Sequence, residues 1–106
     1  MSLRTLIVDD EALARSRLRT LLRDCSAPAA EVVAEAAQGA EAQAQLASMK
    51  LDVVLLDVHM PGMDGLAVAR ILAEAELPPA VIFVTAYSEH ALSAHNSHAA
   101  GYLLKP

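Results

Sequence analysis

Val53-Val54-Leu55-Leu56-Asp57 is the stretch that decides the fold. Four consecutive aliphatic residues do not suit the in-out alternation of a half-exposed strand. They suit a strand buried on both faces, as the central strands of parallel sheets are. The run closes on an acid, so a chemistry-bearing residue stands at the strand's C-terminal end. Outward from it the same design recurs. Leu3 to Val8 is a compact apolar run that ends in Asp9-Asp10. Ala80-Val81-Ile82-Phe83-Val84 ends in Thr85, and Gly101-Tyr102-Leu103-Leu104 ends in Lys105-Pro106. Glu31 to Ala37 is a further strand candidate.

Between these runs the apolar spacing becomes helical. Glu11 to Arg23 carries Ala14, Leu18, Leu21 and Leu22, and Gly39 to Met49 carries Ala42, Leu46 and Met49. Gly65 to Glu74 carries Leu66, Ala69, Ile71 and Leu72, Pro78-Pro79 breaks the chain, and a short helix is predicted from Ser88 to about Ser97. Strands alternating with helices imply right-handed crossovers and a parallel sheet covered on both faces. The expected fold is therefore α/β, a doubly wound five-stranded parallel sheet with strand order 2-1-3-4-5. The last strand of such a sheet needs a closing helix, and the sequence ends at Pro106. The expectation is one domain over residues 1–106 that stops before its final helix and exposes apolar surface there.

Composition narrows the function classes. The 106 residues suit one domain. With 55% apolar residues but only 3% aromatic and no Trp, the core is built from small aliphatic layers, which excludes the stacking platforms of a single-strand nucleic-acid binder. The net charge of −5 argues against nucleic-acid binding by this domain. Arg15, Arg19 and Arg23 recur every four residues and, with Arg17, read as a solvated helix face. The single cysteine, Cys25, fits a reducing cytoplasm. No stretch approaches the ~20 apolar residues that a membrane span needs.

In a parallel sheet all strand C-termini lie along one edge, and ligands of open α/β sheets bind there. Asp9, Asp10, Asp57, Thr85 and Lys105, far apart in sequence, are thus predicted to share one shallow pocket. Three close carboxylates repel one another unless a divalent cation neutralises them, and Mg²⁺ is the hard, oxygen-seeking ion that fits. A carboxylate can attack phosphorus to give an acyl phosphate. A lysine ammonium and a threonine hydroxyl would then stabilise the phosphoryl oxygens.

Four runs in order carry a resemblance. They are Ile7-Val8-Asp9-Asp10-Glu11, then Leu55-Leu56-Asp57-Val58-His59-Met60-Pro61-Gly62-Met63-Asp64-Gly65, then Val84-Thr85-Ala86, then Tyr102-Leu103-Leu104-Lys105-Pro106. Over the whole chain the sequence resembles the receiver domains of bacterial two-component response regulators. The resemblance implies a flavodoxin-like receiver fold and makes Asp57 the phosphorylation site. It implies that Asp10 is a direct Mg²⁺ ligand, that Asp9 acts largely through metal-bound water, and that the backbone carbonyl of His59 completes the protein ligands. It also implies that Thr85 is the switch hydroxyl, Lys105 the phosphate-binding cation and Tyr102 the aromatic switch residue, with a cis Lys105-Pro106 bond. A receiver is no enzyme with a separate substrate but a phosphoacceptor that assists its own phosphorylation and dephosphorylation. The partners implied are a sensor histidine kinase, a second receiver in a homodimer, and a C-terminal DNA-binding output domain beyond Pro106. The runs Val84-Thr85-Ala86-Tyr87, Ala91-Leu92 and Tyr102 to Pro106 resemble the LytTR-type subclass, although His95 stands where that subclass has an aromatic residue.

Asp64 before Gly65 reads as a turn or capping residue. His95 and His98 offer too few ligands for a zinc site. Two other readings stay open at this point. One is a small phosphatase of the haloacid-dehalogenase type, whose nucleophilic Asp also follows an apolar strand but which wants a second Asp where this chain has His59. The other is a receiver-like binding module that no longer uses phosphate, against which the intact polar set at the strand ends speaks.

Overall fold

The computed structural model describes residues 2–24, 29–57, 59–60, 63–85 and 101–104, with the backbone alone for 59–60, 63–66, 85 and 101–104. In chain order the elements are β1 (Leu3–Val8), α1 (Ala12–Arg23), β2 (Ala30–Ala36), α2 (Gly39–Ser48) and β3 (Val53–Asp57). There follow β4 (His59–Met60), β5 (Met63–Asp64), α3 (Gly65–Ala73), β6 (Ala80–Thr85) and β7 (Gly101–Leu104). The five long strands form one sheet in the order β2-β1-β3-β6-β7, and every pairing in it is parallel. This is the doubly wound 2-1-3-4-5 order that the alternation of runs implies. The helix predicted over 88–97, together with Cys25, His90, His95, His98, Lys105 and Pro106, lies outside the described residues.

The aliphatic runs are buried on both sides, and the period of two sorts them. Leu6, Val8, Val54, Leu56, Val81 and Phe83 face one way and pack with Ala42 of α2 and Val68, Ala69 and Leu72 of α3. Ile7, Leu55 and Val84 face the other way and pack with Leu18 of α1. Each fully buried Leu or Phe contributes roughly 2 kcal/mol of transfer free energy. Two helix positions depart from expectation: Leu21 and Ile71 belong to the apolar patterns of α1 and α3 yet are exposed. The stripe of each helix that meets the sheet is narrower than its apolar composition.

Two local features matter for the site. His59↔Asp64 and Met60↔Met63 pair antiparallel, so β4 and β5 form a two-residue ladder between β3 and α3 that the sequence pattern did not announce. Asp64, read from the sequence as a turn or capping residue, is instead the second residue of strand β5 and directly precedes α3. The second feature is a register shift between β1 and β2. Thr5 pairs with Val32 but Leu6 pairs with Ala34, leaving Val33 as an extra residue. A one-residue slip moves every later side chain of a strand to the other face. Beyond the bulge Glu35 therefore sits beside Ile7, on the side of the sheet that α1 covers.

Candidate functional site

The parallel register brings the acids together. Val8 pairs with Leu56, so Asp9 follows β1 beside Asp57 at the end of β3. Asp57 pairs with Val84, which puts Thr85 one residue further along the same edge, and Thr85 pairs with Leu104, the last residue of β7. One carboxylate oxygen from each of Asp9, Asp10 and Asp57 lies within 4.8 Å of the other two. Asp9 and Asp57 are buried, with 0% and 4% of their surface exposed, while Asp10 stands open at the rim.

The loop that carries the acidic pair is held by short-range and long-range bonds. The Asp9 amide donates to the Ala36 carbonyl at 3.0 Å, which fastens the end of β1 to β2. Asp9 Oδ1 accepts the Glu11 amide at 3.0 Å, an Asx turn. Glu11 is the N-cap residue of α1 yet makes no cap bond with its own side chain, so Asp9 satisfies a donor at that helix start instead. The positive end of the α1 dipole also favours carboxylates there.

Arg15 reaches the same loop from α1. Its Nη1 donates to the Asp9 carbonyl at 2.6 Å and its Nε to Glu35 Oε1 at 3.1 Å. Arg19 grips the same carboxylate, donating from Nε to Glu35 Oε2 at 3.0 Å and also from Nη2. The Arg19 guanidinium, foremost through its hydrogen bond, and Arg15 beside it hold the Glu35 carboxyl below the usual range, against a smaller upward push from burial. The solvated arginine face holds for Arg17, Arg19 and Arg23, which are exposed, but not for Arg15, which is largely buried, and Arg15 and Arg19 both bond to Glu35 on β2. The four-residue spacing gave no sign of a partner, because only the bulge at Val33 turns Glu35 towards them.

Comparison with known proteins decides the family. Residues 5–106 match the model of the response regulator receiver domain. The chain belongs to the response regulator receiver family. It is 52% identical over 101 residues to the positive alginate biosynthesis regulatory protein of Pseudomonas aeruginosa, covering 95% of this chain and 40% of that protein. It is 39% identical over 104 residues to the sensory transduction protein LytT of Bacillus anthracis, covering 98% of this chain and 42% of that one. The receiver thus spans about two-fifths of the length of these relatives. The response regulator TrrA of Thermotoga maritima, solved in complex with Mg(2+)-BeF, superposes with a TM-score of 0.82 at 33% identity, covering 100% of this chain and 88% of that one. The relatives include regulators of the LytTR type, and the flavodoxin-like receiver fold is that of the solved neighbours.

Membership excludes the dehalogenase-type reading. Of the predicted site residues, the structure unites Asp9, Asp10 and Asp57 and puts the backbone of Thr85 next along the edge. His59 lies in β4, two residues past Asp57, and Tyr102 lies in β7 with its backbone beside Phe83. Lys105 follows the last described residue of β7. The donor set suits a hard divalent cation: three oxygens of like charge, two buried and one at the rim, are close enough to share one ion. The residues that sequence reasoning missed are Arg15, Arg19 and Glu35. Among the described residues no helix is long and apolar enough to cross a membrane.

Proposed function

We propose that this receiver takes a phosphoryl group on Asp57, in the cytoplasm, from a histidine kinase or a small phosphodonor. A carboxylate oxygen of Asp57 forms the new bond to phosphorus. The bond from phosphorus to the donor breaks, and its electron pair leaves with the donor: a histidine nitrogen takes up a proton from solvent, whereas a small acyl phosphate releases its carboxylate as the anion. Asp10 and Asp57, with Asp9 behind them and the His59 carbonyl, would hold a Mg²⁺ ion, which when bound offsets the charge of the acids and the phosphoryl oxygens. Thr85 would donate its hydroxyl to one phosphoryl oxygen, and Lys105 its ammonium to another. Water attack on the acyl phosphate in the same pocket would reset the domain.

Phosphorylation then biases two pre-existing states through its different interaction with each. Thr85 is drawn inward, Tyr102 turns into the space it leaves, and the face around β7 changes shape. That face would pair with a second receiver and release a DNA-binding output domain, consistent with a receiver that spans two-fifths of the regulators it matches.

The observation that carries this reading is the meeting of Asp9, Asp10 and Asp57 within 4.8 Å at the C-terminal edge of a parallel sheet. The test is intact-mass spectrometry after treatment with acetyl phosphate. The chain is expected to gain one phosphoryl group in the presence of Mg²⁺, to lose that ability with a chelator, and to lose it with Asp57→Asn. An unmodified wild-type chain in Mg²⁺ would instead favour a binding module that no longer uses phosphate.

A further inference from the structure

We propose that Arg15 is a positioning residue that sets the cation affinity of the acidic trio, by clamping the peptide between Asp9 and Asp10 to Glu35 on β2. The inference rests on the cation-binding reading above and adds a residue to it from outside the pocket. The carbonyl that Arg15 grips belongs to the peptide linking the two acids, so holding it at 2.6 Å fixes the plane from which the Asp10 side chain projects. Asp10 needs such help more than its neighbours. Asp57 is set by the β3 ladder and Asp9 by its bonds to Ala36 and Glu11, whereas Asp10 is exposed at the rim.

The clamp is anchored at both ends. Arg15 spans α1, the acidic loop and β2 at once, and Arg19 holds Glu35 from its other side. Arg15 is itself mostly buried, with 19% of its side chain exposed. Only a planar guanidinium can aim Nη1 and Nε at two fixed oxygens simultaneously; a lysine ammonium is a single point charge on a flexible stem. Groups one step removed from metal ligands typically change metal affinity by about tenfold or more when lost.

Charge and position predict opposite signs, which makes the idea testable. A cation near the acids competes with Mg²⁺. If Arg15 acted only as a charge, Arg15→Met would tighten Mg²⁺ binding and Arg15→Lys would leave it alone. If it positions the loop, both substitutions weaken binding.

The experiment is calorimetric titration of the purified chain and its variants with Mg²⁺ alone, paired with amide hydrogen exchange in Mg²⁺-free buffer. Arg15→Lys and Arg15→Met are each expected to raise the Mg²⁺ dissociation constant about tenfold. Both should also speed exchange at the Asp10 and Glu11 amides, which a bulk loss of charge would not do. Arg17→Met removes the same charge from an exposed position of α1 and should leave both readouts as in the parent chain. Tighter binding by Arg15→Met with a wild-type value for Arg15→Lys would overturn the proposal, and so would unchanged constants in both. No binding by the unaltered chain would overturn the cation reading itself, and this inference with it.

Discussion

Strand β3 is bracketed by two aspartates that solve opposite problems. At its N-terminal end Asp52 is half-buried, and its Oδ2 accepts the Arg4 amide at 2.8 Å. The Asp52 amide returns a bond to the Arg4 carbonyl at 2.8 Å, and the Asp52 carbonyl accepts the Ala80 amide at 2.9 Å. Arg4 Nε adds a bond to the Lys50 carbonyl at 2.8 Å. One acid there ties β1, β3 and β6 into register. Five residues on, Asp57 is buried against two further carboxylates. A carboxylate that feeds backbone amides stabilises the sheet. Carboxylates that feed on one another's space destabilise it, and their presence marks a site shaped for something that must arrive.

Substitution should therefore act with opposite signs at the two ends. The largest effect is expected from Asp57→Asn, which should abolish phosphorylation and yet stabilise the metal-free domain. Two unit charges about 5 Å apart at an effective dielectric near 20 repel by roughly 3 kcal/mol, and amidation removes that repulsion for Asp57. Urea denaturation without Mg²⁺ should show a raised midpoint; a lowered one would mean that the trio is not strained. Next comes the cation. At a concentration of a hundred times its dissociation constant, Mg²⁺ should add about 2.7 kcal/mol to the unfolding free energy of the parent chain, and much less to Asp57→Asn. Smaller again is Asp52→Ala. It leaves the Arg4 amide without its carboxylate and should cost about 2 kcal/mol, seen as a lowered urea midpoint, while acetyl phosphate still modifies Asp57.

The sheet was legible because its signal is redundant. The uninterrupted run Val53 to Leu56, the matching run Ala80 to Val84 and the acids after Val8 each specify a buried parallel strand with a functional C-terminus. The meeting of Asp9, Asp10 and Asp57 follows from that topology alone. What stayed hidden depends on single-residue geometry. The antiparallel ladder of β4 and β5 has strands too short for a period to register. The partnership of Arg15 and Arg19 with Glu35 turns on the extra residue Val33, since by strict alternation from Val32 the Glu35 side chain would face α2 and α3 instead. Exposed Leu21 and Ile71 show the same limit in helices, where an apolar residue one position off the stripe looks no different in the sequence.

The arginine clamp sits between the two cases, because Glu35 is a structural acid placed next to a functional loop. Arg19 and Arg15 lower its carboxyl affinity for protons, so the folded state binds fewer protons at Glu35 than the unfolded chain does. The stability this supplies is fully present above the unfolded-state value of about 4.3 and is lost as pH falls through the lower folded-state value. Glu35→Gln should thus be less stable than the parent chain at pH 7, and the gap should close below pH of about 4. The effect should be the smallest of the four, because 30% of the Glu35 side chain is exposed and solvent screens the pairs. Comparing Glu35→Gln with the parent at each pH, by urea denaturation in Mg²⁺-free buffer, cancels every group the two chains share and leaves the clamp. A gap that stays constant across the acid range would show that Glu35 stabilises the fold through its packing and not through its charge.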